Sequence, residues 1–235
     1  MVAFIHGLFH TFLDLPAGKS ALVVDLPGYG RNRAMKELSI RSAADFVRNQ
    51  IRASGCGAVH IVAHSMGGAV AVLLAYEHPE LVASLINVEG NFTLKDAFWS
   101  GKIAAVDETE VEALLASYRA DTAGWLAGIG IERDERRVAA AGRMLAAQSA
   151  GTVHAMARSL VEVTAAPDYL EKVRIILERG MMFHLVAGER SRNGWDVPEF
   201  VLQRAASMTI QPGSGHLMML EDPATFLRLV GGLSR

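Results

Sequence analysis

Cysteine is nearly absent: Cys56 is the single one in 235 residues. It cannot form an internal disulfide, and between Gly55 and Gly57, with no partner pattern around it, it reads as a turn residue rather than a catalytic thiol. No stretch approaches the roughly 18 apolar residues that a membrane-spanning helix requires. Nor is there a basic run suited to a phosphate backbone. Lys and Arg number 23 against 25 Asp and Glu, and the densest charged segment, residues 132–137, mixes both signs as a solvated helix face would. The N-terminus lacks the basic n-region and cleavage site of a secretory signal, so a cytoplasmic protein is the expectation. Metal-ligand spacings, phosphate-loop and dinucleotide fingerprints, internal repeats and low-complexity linkers are missing as well. The expected partner is therefore a small-molecule substrate, with no cofactor, no metal, no nucleic acid and no membrane; a homodimer is left open.

What remains is half apolar and one-fifth charged, which suits a globular chain of one large domain, or a core with an inserted subdomain. Short continuous apolar runs recur at Val2–Ile5 and at residues 20–25, 58–63, 85–88, 181–187 and 207–210, separated by helical patterns. Continuous apolar strands alternating with helices predict a mostly parallel sheet covered on both faces, an α/β architecture. Ser42 with Asp45 looks like a capping box for the first helix, whose apolar stripe is Phe46, Val47 and Ile51 and whose stop is Gly55. From residue 92 to residue 180 the strand signal vanishes. Asp107 and Glu110 cap a helix, and stripes through Val111, Leu114, Leu115 and Tyr118, then Val153, Met156 and Leu160, then Tyr169, Val173 and Ile176, mark others. A purely helical block inside an alternating pattern reads as an inserted lid over residues 92–180, with residues 1–91 and 181–235 as the core.

The chemistry concentrates around Ser65. An apolar strand, then Ala63-His64-Ser65-Met66-Gly67, then an apolar helix, has the spacing of a nucleophile elbow, G-x-S-x-G, with alanine in the first glycine place. A serine at the tip of such a turn is forced into a strained backbone that throws its Oγ clear of the sheet, and the positions two before and two after must be small. The Met66 N–H then opens a helix, where it can donate to a developing oxyanion.

Three further stretches follow strands in the same order: His6-Gly7, Asp25-Leu26-Pro27-Gly28-Tyr29-Gly30, and Gly213-Ser214-Gly215-His216 ahead of Asp222-Pro223. Together with the elbow they resemble the α/β-hydrolase superfamily over nearly the whole chain outside the helical block. That superfamily usually has an antiparallel hairpin before the His-Gly strand. Here the sequence begins at that strand, so the N-terminal hairpin is missing; either the member is trimmed or the real start lies upstream. The resemblance implies His216 as general base and the Leu8 backbone N–H as a second oxyanion donor opposite Met66, while residues 25–30 are read as a structural turn.

The acid is the harder assignment, because a serine–histidine pair needs a carboxylate to hold the imidazole. The usual superfamily place, Gly-x-x-Asp, reads here Gly188-Glu189-Arg190-Ser191, and a hydroxyl cannot supply the charge. In glutamate-type haloalkane dehalogenases the acid ends the strand before the lid, and the corresponding residue is Glu89. A glutamate ending an apolar strand is costly to bury without a partner, and His216 would be that partner. Glu89 is the expected acid, with Glu189 and Asp196 as alternatives and an ion pair to Arg190 as its non-catalytic reading. Phe9, Phe98, Trp99, Trp125 and Leu217 are candidates for lining the substrate pocket.

A serine nucleophile excludes aspartate-nucleophile chemistry and leaves acyl transfer. The expected reaction is cleavage of an ester, lactone or thioester of a small to medium apolar substrate through an acyl-enzyme. Alternatives with the same serine and histidine are a carbon–carbon bond hydrolase, a cofactor-free haloperoxidase-like activity or an acyltransferase; from another class, a ligand-binding receptor on a silent hydrolase pocket.

Overall fold

A computed structural model describes residues 1–15 and 20–234 of the chain. Six strands form one parallel sheet: β1 (Val2–Ile5), β2 (Ala21–Val24), β3 (Val59–His64), β4 (Val82–Val88), β5 (Phe183–Gly188) and β6 (Ser207–Gln211), in the spatial order β2-β1-β3-β4-β5-β6. The apolar runs read from the sequence correspond to these strands, with β4 starting three residues earlier than its apolar run suggests. The pairing register brings Ile5 beside Ala63 and His64 beside Val88, so the carboxyl ends of β1, β3 and β4 lie level with one another. The chain runs from β1 outward to β2 and then returns to β3 on the other side of β1. The loops leaving β1 and β3 therefore diverge, which opens the crevice where ligands of open α/β sheets bind.

Helix α1 (Ile40–Ser54) buries Ile40, Ala43, Ala44, Val47 and Ile51 on one face. Its cap is one turn earlier than the sequence suggests. Ser39 is the N-cap and exchanges hydrogen bonds with Ser42, because the Ser39 backbone is extended and can aim its hydroxyl at the Ser42 N–H. Helix α2 (Met66–Glu77) differs in kind: every residue from Met66 to Ala75 is buried. A helix apolar on all sides must be enclosed, and α2 lies among β1, β3, β4 and α1. Its start is close to the sheet because Gly67 has no side chain; a Cβ there would meet the Ile5 carbonyl oxygen at 2.4 Å. The small residue is demanded by the neighbouring strand β1 rather than by the other arm of the turn.

Between β4 and β5 come α3 (Phe98–Ala104), α4 (Glu108–Ala120), α5 (Thr122–Gly128), α6 (Glu135–Ala146), α7 (Ala150–Ala165) and α8 (Tyr169–Glu178). Helix α7 is the spine of this block, packing on α3 and α4 and reaching α1 and α2, while α8 lies against α2 beside the sheet. Asp107, Asp121, Asp134 and Ser149 cap successive helices through their side chains. After β5, the described residues form the α-helices α9 (Glu199–Arg204), α10 (Met218–Glu221) and α11 (Pro223–Leu233), the last opened by Asp222 as cap and Pro223 at its first position. No helix among the described residues is long and apolar enough to cross a membrane.

Candidate active site

Three non-glycine residues among those described have positive φ: His10 (54°), Ser65 (52°) and Glu89 (43°). All three follow the carboxyl ends of neighbouring strands β1, β3 and β4. Such backbone costs on the order of 1–3 kcal/mol per residue and persists where surrounding contacts over-determine it. Around Ser65 those contacts are explicit. Its N–H donates to the Val88 carbonyl (3.0 Å), and its carbonyl accepts from Gly68 (2.8 Å) and Asn91 (3.3 Å), so the turn is tied to the end of β4 as well as to α2.

His216 stands on the loop between β6 and α10, with its side chain about half exposed. Nδ1 of the ring is 2.6 Å from Glu89 Oε2, while Glu89 itself is 4% exposed. The other Glu89 oxygen accepts from the Gly188 N–H (2.8 Å) and the Ser191 hydroxyl (2.6 Å). Burial pushes this carboxyl up. The His216 ring, the Ser191 hydroxyl and the Gly188 amide outweigh that effect and hold it below the ordinary glutamate value. The carboxylate is thus kept ionised against the imidazole, with no arginine involved; Arg190 pairs instead with Glu221 (2.7 Å). Ser191, which occupies the place expected of an aspartate, supplies a hydrogen bond to the carboxylate that stands in for it.

The two alternative acids do other work. Glu189 accepts the Gly213 N–H (2.8 Å) and Asp196 accepts the Thr93 hydroxyl (2.7 Å). Residues without a sequence signal complete the support of the His216 loop. Buried Glu221 accepts the Gly215 N–H (2.7 Å), and the Arg190 backbone N–H donates to the Ser214 carbonyl (3.0 Å) while its guanidinium reaches the Gly130 carbonyl across the cavity (3.1 Å).

Ser65, His216 and Leu8 line one cavity of about 380 Å³, roofed by α3 and by Gly128, Ile129 and Ile131. That volume falls in the range of small-molecule sites. No hydrogen bond joins the Ser65 hydroxyl to His216 among the described residues, and His216 Nε2 has no protein partner there. Nucleophile–base contacts are often long in an unliganded site and tighten when substrate binds. The backbone N–H groups of Leu8 and Met66 donate to no protein acceptor among the described residues, Met66 because it occupies the first helical position.

Of the predicted lining residues, Phe9, Phe98, Trp99 and Leu217 face the cavity. Trp125 does not; it stands behind the wall, 6.2 Å from both the Phe9 and the Trp99 ring and 5.8 Å from Tyr118. Its helix α5 turns Trp125 into the block's own core, so the indole buttresses the lining. Several polar wall residues, among them Thr11, Asp96 and Ser100, have no counterpart in the sequence reading. Asp96, beside α3, is pushed up to about 6 by burial, despite hydrogen bonds from Phe92, Asn91 and Thr93. No group of three or more His, Cys, Asp or Glu side chains among the described residues is arranged to hold a metal ion.

Residues 2–229 match the profile of the alpha/beta hydrolase family. An uncharacterised Mycobacterium tuberculosis protein is 26% identical over 231 residues, which is 90% of this chain and 66% of that protein. The pimeloyl-[acyl-carrier protein] methyl ester esterase of Yersinia enterocolitica is 36% identical over 98 residues, 40% of this chain and 36% of the esterase. The chain therefore spans under two thirds of each relative's length. Among solved structures, a carboxylesterase of the thaumarchaeon Nitrososphaera gargenis superposes with a TM-score of 0.72 at 18% identity, covering 98% of this chain and 88% of its own.

Proposed function

The chain belongs to the α/β hydrolase family, and from that premise we propose that it is a serine hydrolase that cleaves a carboxylic ester, lactone or thioester of a small to medium apolar substrate. The observation that carries this reading is the 2.6 Å bond from Glu89 to the His216 ring beside a strained Ser65, with both Ser65 and His216 open to one largely apolar cavity. The esterase relative and the carboxylesterase neighbour support ester chemistry.

In this mechanism Ser65 Oγ attacks the substrate carbonyl carbon as His216 Nε2 takes the hydroxyl proton. The oxygen that gains charge is held by the Leu8 and Met66 N–H groups, and Glu89 stabilises the imidazolium. Collapse breaks the bond to the leaving oxygen or sulfur, which receives the proton from His216. Water then attacks the acyl-enzyme, His216 takes its proton, and the Ser65 hydroxyl is restored as the acid departs. The helical block over residues 92–180 acts as the lid that selects the acyl chain.

The test is a panel of p-nitrophenyl esters from acetyl to dodecanoyl, assayed on the wild type and Ser65→Ala, with a fluorophosphonate label located by mass spectrometry. Hydrolysis that disappears in Ser65→Ala, with the label on Ser65, is the expected result. Equal hydrolysis by both proteins would refute the assignment.

A further inference from the structure

The residue just before Ser65 is a histidine, His64, only 1% exposed and bonded at both ring nitrogens to other parts of the site. Nδ1 lies 2.9 Å from the Thr11 hydroxyl oxygen, and Nε2 lies 2.9 Å from the carbonyl oxygen of His216. The same Thr11 oxygen accepts the Gly7 N–H at 3.0 Å.

Proton bookkeeping leaves one arrangement for these bonds. The His216 carbonyl can only accept, so His64 Nε2 carries the hydrogen. Burial, with the neighbouring His216 and His6 rings adding to it, holds the His64 pKa well below the ordinary histidine value, so the ring is neutral and Nδ1 is an acceptor. The Thr11 hydroxyl must then give its hydrogen to Nδ1 and take the Gly7 N–H on a lone pair. Every donor in the series meets an acceptor.

Two consequences are geometric. First, the Gly7 amide is consumed internally, whereas the next amide, that of Leu8, meets no protein acceptor among the described residues. Second, the Gly7 backbone packs close against His64 and Ser65; a Cβ at Gly7 would meet His64 Nδ1 at 2.8 Å and Ser65 Cβ at 3.1 Å. The His64 ring centroid is also 4.6 Å from that of the His216 ring. The His216 loop leaves β6, three strands from β3, and must reach back across β5 and β4. Glu89 fixes its ring, and His64 fixes its main chain.

We propose that His64 and Thr11 are positioning residues, a buried strut that runs from the loop carrying the Leu8 amide to the backbone of His216 and fixes the distance between them across Ser65. The strut deepens the serine-hydrolase reading and rests on it. Both residues edge the cavity onto which Ser65 and His216 open, but the Thr11 hydroxyl and both His64 ring nitrogens are engaged by protein groups rather than by the reacting atoms; losing the strut lets the oxyanion donor and the base drift relative to each other.

Thr11→Val removes the hydroxyl at nearly constant shape, and Thr11→Ser restores it. With p-nitrophenyl butyrate, Thr11→Val is expected to lower kcat by about 10- to 100-fold, the scale of a small misplacement of catalytic groups, with KM within about twofold and with Thr11→Ser within about threefold of wild type. Independently, the imidazole 15N spectrum of the wild type, with His64 assigned through its loss in His64→Gln, is expected to show the neutral Nε2–H tautomer. A folded Thr11→Val enzyme with wild-type kcat, a Thr11→Ser enzyme as impaired as Thr11→Val, or an Nδ1–H tautomer would each overturn the strut. Should Thr11→Val fail to fold, the Thr11→Ser rate and the tautomer still decide. Fluorophosphonate labelling separates the two readings: wild type that labels at Ser65 while Thr11→Val matches its kcat sinks the strut alone, whereas wild type that neither labels nor hydrolyses sinks the serine-hydrolase reading and the strut's role with it.

Discussion

Ser65 and Glu89 stand on backbone with almost no freedom, pinned by hydrogen bonds between strand ends and held at positive φ. Across the cavity Phe98 and Trp99 stand on α3, a seven-residue helix without a side-chain cap, and Phe98 is 57% exposed. Under the proposed mechanism the two walls answer different demands. Bond-making chemistry needs groups held within about half an ångström, and the carboxyl edge of a sheet supplies that rigidity. Chain selection needs only shape and apolar surface, which a short helix can present at lower structural cost.

Substitutions on the two walls should therefore differ in kind as well as in size. Ser65→Ala is expected to give the largest effect, a loss of about 10⁴-fold or more in kcat with a p-nitrophenyl ester, since removing the nucleophile disables the whole unit. Retention of activity there would erase the distinction between the walls. Glu89→Gln should cost about 10³-fold by losing the charge that stabilises the imidazolium, while Glu189→Gln and Asp196→Asn stay within about tenfold. Steady-state kinetics on the three variants checks this, and a larger loss in either of the latter two would move the acid elsewhere.

The buried Glu89 and the half-buried Asp96, seven residues apart, are shifted in opposite directions. Glu89 is held below its ordinary pKa, so its contribution to stability is present above that value and fades as pH falls through the depressed one. Asp96 is raised from 3.8 to about 6, so the folded state binds the extra proton and stability falls as pH rises from about 4 to about 6. At about 1.4 kcal/mol per unit this amounts to at most about 3 kcal/mol. Urea unfolding across that window should show the decline in the wild type, flattened in Asp96→Asn; an unchanged slope in the variant would assign the effect to another group. The smallest effects belong to Phe98→Ala and Trp99→Ala. Each is expected to shift the preferred acyl length and raise KM for long esters about three- to tenfold with kcat nearly kept. A collapse of kcat in either would show that the helical wall also positions the chemistry.

How far the sequence discloses such a site follows from the range of the contacts. The elbow is legible because the strand, the small residues and the helix start all fall within about fifteen positions, and the α/β alternation is legible because buried parallel strands have no polar face. Glu89 is legible by a different route: Ser191 stands where the superfamily's acid is expected, and the resemblance to glutamate-type haloalkane dehalogenases points to the end of β4, where a glutamate on an apolar strand must find a partner. Trp125 illustrates the limit. An aromatic residue in a helical stretch can face a cavity or the block's own core, and its identity does not say which. Glu221 carries no local mark either, since its meaning comes from the Gly215 amide it accepts and the Arg190 it pairs with.

By itself the sequence determined the architecture, the nucleophile candidate and a short choice of acids, because local periodicity and turn chemistry act within a few residues along the chain. Tertiary structure decided which carboxylate meets the imidazole, which aromatic residues see the cavity, and that His64 joins Thr11 to His216 over separations of 53 and 152 residues. Those pairings depend on the register of β1, β3 and β4 and on a loop that reaches back from β6. Register is a collective property of the packed sheet, which no short window of sequence contains.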